Sequence, residues 1–379
     1  MTVKSNYDVA IVGGGLAGLA ASIQLSKKGH SVILFEKEAY PFHKVCGEYI
    51  SLESWNFLSS LGLPLKEMDL PLINTFQLTA PNGKALVTKL PLGGFGISRY
   101  LLDKTLADIA VASGVTLLQK TKVDDVKREE DAFVVSFSGG PIKAKICCAA
   151  YGKRSNLDVK WKRPFAQKTG SRLNNYVGIK YHVKATQAQN LIGLHNFKNG
   201  YCGLSKIEGD EYCLCYMTNA ENLKACGNDI AQMQETILFQ NPHLKKLFLQ
   251  SDVVRDFPVT ISQISFSPKS KVENGVLMLG DAAGMITPLC GNGMSIALHS
   301  AKIAAVLIDD FLQQKISRQK MEAQYQKQWA KNFAVRLKAG RIIQSFFGNE
   351  RLSNLLVSTF RALPFLIKPV IRLTHGKPF

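Results

Sequence analysis

Residues 7–18 read YDVAIVGGGLAG, a short apolar run that leads directly into a G-x-G-x-x-G pattern at Gly13, Gly15 and Gly18. The apolar run predicts a strand that is covered on both faces. Apolar residues at helical spacing follow, and 31–35 predicts a second strand. The order of strand, glycine turn, helix and strand predicts a βαβ unit that binds a dinucleotide.

Each glycine of this pattern has a physical role. Gly13 permits a tight turn, Gly15 lets the backbone approach a pyrophosphate, and Gly18 lets the helix pack closely on the strand. Amides at the helix start then face the phosphates, and Glu36 ends the second strand, where a carboxylate can accept hydrogen bonds from a ribose. The predicted contacts of this unit are Gly13, Gly15, Leu16, Ala17, Gly18, Glu36 and Lys37.

A second glycine-rich signature follows another predicted strand. That strand ends at Gly280 and Asp281, and Gly291 and Gly293 open a long predicted helix. Asp281 can accept hydrogen bonds from the ribityl chain of a flavin, and amides near Met294 can face the pyrimidine edge of its ring. The predicted cofactor contacts here are Gly280, Asp281, Gly291, Gly293 and Met294, and Pro288 is predicted to lie in the substrate pocket.

Together these motifs resemble the p-hydroxybenzoate hydroxylase superfamily of FAD enzymes, which includes aromatic hydroxylases, flavin halogenases and geranylgeranyl reductases. The glycines and Glu36 match its ADP-binding motif, and Gly280-Asp281 matches its riboflavin-binding motif. Arg99 matches an arginine that reaches the FAD in that superfamily. The resemblance covers nearly the whole chain, is closest in pattern to the geranylgeranyl reductases, and implies a bound FAD.

The resemblance implies an α/β fold with a glutathione-reductase-type Rossmann FAD-binding domain, an antiparallel β-sheet substrate domain and C-terminal helices. Alternating strand patterns at 176–183, 200–207 and 212–217, and a hairpin at 75–90, agree with the second domain. We expect the FAD-binding domain at 1–74, 99–165 and 269–335, the substrate domain at 75–98 and 166–268, and a basic, apolar helical segment at 336–379. Tyr201 is interpreted either as a pocket wall or as an ordinary strand aromatic.

Residues 145–155 match a third motif of the superfamily only in part. Ala150, Gly152 and Ser155 fit it, whereas Tyr151 stands where typical hydroxylases have an aspartate. In the hydroxylases this region contributes to the binding of both FAD and NAD(P)H. The resemblance therefore implies a cofactor contact at Gly152, with NADPH or NADH as the candidate electron donor.

Residues 41–48, PFHKVCGE, form the loop that is most informative about the reaction. They resemble the loop in geranylgeranyl reductases where a Lys-Pro-Cys-Gly-like run brings a cysteine close to the flavin. Here Val45 replaces the proline, and the implied cofactor contacts are Lys44, Cys46 and Gly47. The Cys46 thiol either donates a proton to carbon as a hydride leaves the flavin, or is a packed cysteine that shapes the pocket.

Composition limits the class of protein. A chain of 379 residues, 46% hydrophobic and 20% charged, predicts an ordered protein of two packed domains. It has no apolar run of about eighteen residues and no signal-peptide pattern, which predicts a cytoplasmic location. The eight cysteines include no C-x-x-C pair, which predicts reduced thiols and no metal site.

The net charge of +18 is concentrated in the last part of the chain. Residues 331–379 carry nine Lys and Arg against one acid, Glu350, together with many large apolar residues. No nucleic-acid recognition motif accompanies these charges, so nucleic acid is not predicted as a partner. Two interpretations remain: a segment that contacts anionic lipid at the inner face of the membrane, or helices that cap the fold with solvated charges.

These observations predict an FAD-dependent oxidoreductase that acts on a hydrophobic small molecule. Cys46 and the basic, apolar segment favour geranylgeranyl-reductase-like reduction of a C=C bond in a lipid-like or polyketide-like substrate. A monooxygenase that hydroxylates an aromatic or polyene substrate with O2 and NAD(P)H is the alternative. A flavin-binding or electron-transfer protein at the membrane surface is a third hypothesis, and it predicts no closed pocket beside the flavin.

Overall fold

The computed structural model describes residues 3–167, 175–255, 258–287, 291–347 and 349–379. The strands are β1 (Asn6–Val12), β2 (Val32–Phe35), β3 (Tyr49–Ser51), β4 (Leu72–Thr79), β5 (Ala85–Gly96), β6 (Thr116–Leu118), β7 (Val123–Glu129), β8 (Ala132–Phe137), β9 (Ile142–Ala149), β10 (Tyr176–Lys184), β11 (Leu191–Phe197), β12 (Gly200–Lys206), β13 (Tyr212–Asn219), β14 (Asp252–Val253), β15 (Val259–Ile264), β16 (Val272–Glu273) and β17 (Val276–Met278). The helices are α1 (Leu16–Lys27), α2 (Trp55–Leu61), α3 (Arg99–Ala112), α4 (Asn156–Lys160), α5 (Pro164–Gln167), α6 (Ala220–Ala225), α7 (Ile230–Thr236), α8 (Pro242–Leu249), α9 (Gly293–Leu312), α10 (Arg318–Phe346), α11 (Glu350–Ala362) and α12 (Ile367–Thr374).

The first sheet has the strand order β16-β17-β9-β1-β2-β6, and its pairs from β17 to β6 are parallel. A parallel sheet needs cover on both faces, and the four residues of β2 are all buried. Helix α1 connects β1 to β2 and packs against α3 and α9. The predicted βαβ unit is confirmed, with Val9 opposite Val32 in parallel register.

The second sheet has the order β14-β10-β13-β12-β11-β4-β5-β3, and β15 also pairs with β10. Its pairs are antiparallel except β4–β11, which the alternating pattern did not predict. Strands β4 and β11 are separated by more than a hundred residues that pass through the first sheet, so no hairpin forces them to run antiparallel. Because β3 belongs to this sheet, the loop before it carries the chain from β2 in the first sheet to the second.

Three helices close one side of the molecule. Helix α10 packs on α9 and α12, and α11 packs on β5 and β11. The predicted α/β fold with a Rossmann unit, a second large sheet and C-terminal helices is therefore confirmed, whereas the domain boundaries remain predictions. Among the described helices none is by itself long and apolar enough to cross a membrane, although α11 and the segment Pro364–Thr374, bent by 110°, pass that test as a pair.

Candidate flavin site and apolar cavity

The glycine turn brings the start of α1 against the loop that follows β9. Gly13 has φ +106°, and a Cβ there would lie 2.6 Å from the carbonyl oxygen of Ala150. A Cβ on Gly18 would collide with the Gly13 carbonyl. Both positions therefore require glycine, as the sequence predicted, and Leu16 and Ala17 are buried in the first helical turn between them.

Two cations converge on the start of α1. Gly15 is its N-cap and offers no capping side chain, and a Cβ there would lie 3.9 Å from Arg99 Nη2 and 4.0 Å from Lys44 Nζ. Asp103 holds both side chains, at 2.7 Å from Arg99 Nε and 3.0 Å from Lys44 Nζ. The free helix amides and the excess positive charge make a cradle that fits a pyrophosphate.

Glu36 lies beside this cradle and is buried. Its Oε2 accepts a hydrogen bond from the Gly14 amide at 2.9 Å, and its Oε1 accepts from the Glu38 amide at 3.1 Å. Each carboxylate oxygen keeps a further lone pair, which is compatible with the predicted ribose contact. The neighbouring Lys37 is exposed and pairs with Glu38 at 3.6 Å.

Asp281 lies in a short 3-10 helix, Gly280–Ala282, directly after β17. Gly280 has φ +57°, and its amide donates to Ser300 Oγ at 2.9 Å. Burial raises the pKa of the Asp281 carboxyl, while the charges of Lys269 and Arg99 act against that shift. Within the described parts of the chain, the Asp281 carboxylate has no hydrogen-bond or ion-pair partner, so its oxygens are available to ligand hydroxyls such as those of a ribityl chain.

The second glycine loop is tied to the last helix. Gly291 has φ +66°, and Gly293 begins α9 as predicted, with Met294 buried in its first turn. The Asn292 side chain donates to the Thr374 carbonyl at 2.6 Å. The loop that is predicted to face the flavin ring is therefore hydrogen-bonded to the end of α12. Pro288, a predicted pocket residue, lies outside the described residues.

The loop after β9 uses Tyr151 in a structural network. The Tyr151 hydroxyl donates to Asp158 Oδ1 at 2.6 Å and accepts from Arg163 Nη1 at 3.2 Å. Arg163 and Asp158 form a buried ion pair at 2.7 Å. Gly152 has φ +85° with open space around it. The loop can therefore approach a ligand at Gly152, while the hydrogen bonds of Tyr151 fix the start of the loop.

The loop that carries Cys46 is fixed to the second sheet. The Cys46 carbonyl accepts from Cys213 Sγ at 3.1 Å, and the Gly47 carbonyl accepts from Ser205 Oγ at 3.0 Å. The Cys46 sulfur accepts from the Glu48 amide at 3.5 Å. Burial raises the pKa of the Cys46 thiol although the charge of Arg99 acts against it, so the group stays protonated at neutral pH.

Next to Cys46 is a buried charge cluster that the sequence did not predict. Glu48 has φ +52° and is fully buried, and its carboxylate lies 2.6 Å from both Lys180 Nζ and His182 Nε2. Burial alone would raise the pKa of Glu48, but His182 and Lys180 outweigh it and hold that pKa below its ordinary value. The signal was present, since Lys180 and His182 lie two residues apart and therefore on one face of β10.

This cluster also contains a trio with metal-ligand chemistry. The ligand atoms of Glu48, His182 and Cys213 lie within 4.8 Å of one another, the one such group found among the described residues. Lys180 already places an ammonium against the Glu48 carboxylate, and a second cation there would be repelled. We therefore interpret the trio as part of an ion-pair network.

An apolar cavity of about 370 Å³ lies between the second sheet and the last three helices. Strands β4, β5 and β11 form one wall, and α10, α11 and α12 form the other. The described lining residues are Tyr49, Phe76, Leu78, Leu90, Ile192, Leu194, Gly291, Ala339, Ile342, Ile343, Phe346, Phe347, Leu356, Phe360, Ile367, Val370, Ile371, Leu373, Thr374 and His375. Because Gly291 belongs to the predicted flavin loop, one end of the cavity reaches the flavin site.

Tyr49 marks that end of the cavity. An added Cβ on Gly291 would lie 3.1 Å from the Tyr49 ring. Tyr49 is buried, and its hydroxyl has no hydrogen-bond partner among the residues that the structure describes. Cys46 and Tyr201 do not line the cavity; Tyr201 packs in the adjoining apolar cluster with Phe360.

The nucleotide cradle, the buried acid at Asp281 and the adjoining apolar cavity together indicate the class of protein: it is an FAD-dependent oxidoreductase. The chain belongs to the FAD binding domain family, whose model matches residues 6–328. This match confirms the resemblance that the sequence motifs indicated.

Curated proteins similar to this chain include two archaeal digeranylgeranylglycerophospholipid reductases. That of Methanopyrus kandleri is 26% identical over 398 aligned positions, covering 98% of this chain and 93% of its own length. That of Methanococcus vannielii is 25% identical, covering 92% of this chain and 89% of its own. Conditioned medium factor receptor 1 of Dictyostelium discoideum is 24% identical and covers 87% of this chain and 68% of its own length.

Solved structures agree on the fold. The flavin-dependent brominase Bmp2 superimposes with a TM-score of 0.80 at 19% identity, covering 97% of this chain and 93% of its own. A flavoprotein/dehydrogenase from Cytophaga hutchinsonii gives a TM-score of 0.74 at 17% identity, covering 91% and 86%.

Proposed function

We propose that the protein reduces a C=C bond in a lipid-like substrate that lies in the apolar cavity. The cavity carries this proposal, because of its described lining only Tyr49, Thr374 and His375 offer a polar side-chain atom. Such a wall favours a long hydrocarbon chain and gives few partners to a polar molecule. The similarity to digeranylgeranylglycerophospholipid reductases supports the same substrate class.

When bound and reduced, FAD would supply a hydride to one carbon of the double bond, and the cradle of Gly15, Arg99 and Lys44 would hold its pyrophosphate. The protein excludes water, holds the chain along the helices and provides the proton for the second carbon. Cys46 is one candidate donor, which the sequence left open against a role in shaping the pocket, and its raised pKa keeps the thiol protonated. Tyr49 is the donor that the cavity adds, since the residue belongs to the lining and its hydroxyl has no partner among the described residues.

The test is anaerobic turnover of the reduced holoenzyme with an isoprenoid lipid, followed by mass analysis of the product. We expect saturation of a double bond without O2. Cys46→Ala and Tyr49→Phe separate the two donors: the variant that lacks the true donor falls about 10²-fold or more in turnover with its FAD retained. Cys226→Ala, at a buried cysteine that does not line the cavity, is the matched control.

NADPH or NADH is the proposed electron donor, and anaerobic reduction of the flavin with each nucleotide in turn identifies it. The reductase proposal would be contradicted if the lipid stimulates NADPH oxidation with oxygen uptake and a hydroxylated product. The protein would then be a monooxygenase.

A further inference from the structure

The three helices that wall the cavity also carry exposed apolar side chains on their outer side. Leu355 on α11 is 64% exposed, and Phe365 is 65% exposed at the 110° bend between α11 and α12. Leu352 and Leu363 are exposed on the same segment. Large apolar side chains grouped in this way mark a surface that meets an apolar partner rather than water.

The mouth of the cavity opens on these helices. Ile342, Phe346 and Leu373 line the cavity, yet they are 52%, 38% and 51% exposed. Residues that are both lining and exposed lie where the cavity meets the surface. The mouth is thus bordered by α10 on one side and α12 on the other.

The same helices present a basic surface. Within 338–373 their exposed cations are Lys338, Arg351, Arg361, Lys368 and Arg372. Within the described chain none of these five forms an ion pair, whereas the nearby Arg336 is buried against Glu53. Glu350 is the one acidic residue in 331–379, so a single carboxylate of this segment stands against its nine cations.

We propose that this docking face, formed by the exposed apolar and basic residues of 338–373, binds the surface of an anionic lipid bilayer. Apolar side chains enter the acyl boundary while lysines and arginines contact the headgroups. The cavity mouth then faces the lipid, and a substrate passes from the bilayer without crossing water. The inference goes beyond the reaction, since binding to the bilayer requires no turnover.

The apolar residues distinguish a bilayer from nucleic acid. A polyanion such as duplex DNA would use the cations alone and would leave Leu355 and Phe365 in water. A bilayer uses both kinds of side chain. Replacing the apolar residues therefore weakens binding to vesicles and leaves any binding to nucleic acid unchanged.

The experiment is flotation of the FAD-loaded full chain with vesicles of phosphatidylcholine alone or with equal parts of phosphatidylglycerol. We expect partition to the anionic vesicles, weakened by added salt. Leu355→Ser with Phe365→Ser, and separately Arg351→Gln with Arg361→Gln and Lys368→Gln, should each lower the partition constant about tenfold or more. None of these residues lines the cavity, so anaerobic turnover of detergent-dispersed substrate should stay unchanged.

Matched controls lie elsewhere on the surface. Leu249→Ser with Val159→Ser removes side chains that are 68% and 56% exposed, and Lys122→Gln with Lys127→Gln and Lys224→Gln removes three exposed cations. Both controls should float like the wild type. Equal flotation with neutral vesicles, equal losses in the controls, or retention on duplex DNA in place of vesicles would overturn the proposal. Vesicle binding without turnover would instead contradict the proposed reaction alone.

Discussion

Arg336 Nη2 lies 2.7 Å from Glu53 Oε1 in the interior, and this ion pair fastens α10 to the segment that follows Tyr49. The same guanidinium donates through Nε to the Thr374 carbonyl at 3.2 Å, which the Asn292 side chain also contacts. Burial raises the pKa of Glu53 although Arg336 opposes the shift. The pair thus joins the flavin loop, the cavity wall and the last helix at one buried point.

Arg336→Met should lower the free energy of unfolding by about 3–5 kcal/mol, because it leaves Glu53 buried without its partner. Adding Glu53→Gln removes the uncompensated carboxylate and should restore a large part of that loss. Urea denaturation of the two single variants and the double variant measures the coupling. Simple addition of the two single effects would show that the residues act independently.

The Gly15→Ala variant should fold but bind FAD more weakly. Its backbone, at φ −82°, accepts alanine, yet the new methyl group would occupy the cradle between Arg99 and Lys44. We expect FAD affinity to fall about tenfold or more, which corresponds to roughly 1.4 kcal/mol or more. The flavin absorbance of the purified protein and a fluorescence titration measure this. Gly203→Ala on β12, where a Cβ makes ordinary contact, should retain FAD fully.

Tyr49→Phe and Tyr325→Phe should change the free energy of unfolding differently, in sign or in size, although both remove a buried hydroxyl. Tyr325 donates to the Met278 carbonyl at 2.6 Å, so its loss should cost about 1 kcal/mol of unfolding free energy. Tyr49 has no partner in the described structure, so its replacement should leave stability unchanged or raise it. Urea denaturation without substrate gives both values. An equal loss at Tyr49 would reveal a protein partner and contradict its availability to a substrate.

The Glu48 cluster predicts a dependence of stability on pH. Because the folded protein holds the pKa of Glu48 below its ordinary value, the ionised carboxylate stabilises the fold above that ordinary value. This contribution is lost as pH falls from the ordinary value through the lowered one. Glu48→Gln should therefore be less stable than the wild type at neutral pH, with a difference that narrows in acid. Urea denaturation of the wild type and Glu48→Gln over this pH range measures the difference, and a difference that stays constant in acid would contradict the prediction.

Local sequence predicted those parts of the fold that local sterics determine. The turn at Gly13 and the start of a long helix at Gly293 were predicted correctly, because a glycine with positive φ and a periodic apolar face need no information from distant residues. The fold class followed from these units and the strand patterns.

Long-range packing determined what the sequence did not predict. The ion pair of Glu48 with Lys180 joins residues 132 positions apart in the chain, and no local pattern pairs them. The parallel β4–β11 pair likewise depends on the route of the chain through the first sheet. The cavity arises because 336–379 turns one apolar side toward β4 and β11 and leaves another exposed. The sequence showed that this segment is rich in apolar residues, but it did not show which of them line the cavity and which are exposed.

The composition of the cavity wall has a consequence for how the protein is made. Thirteen of the twenty described lining residues come from 336–379, whereas every predicted cofactor contact lies at or before Met294. During translation the earlier elements emerge from the ribosome first. The nascent protein can therefore form the cradle of Gly15, Lys44 and Arg99 while the apolar cavity still lacks most of its wall. Hydrophobic compounds can be retained in the cavity only after the final helices have folded.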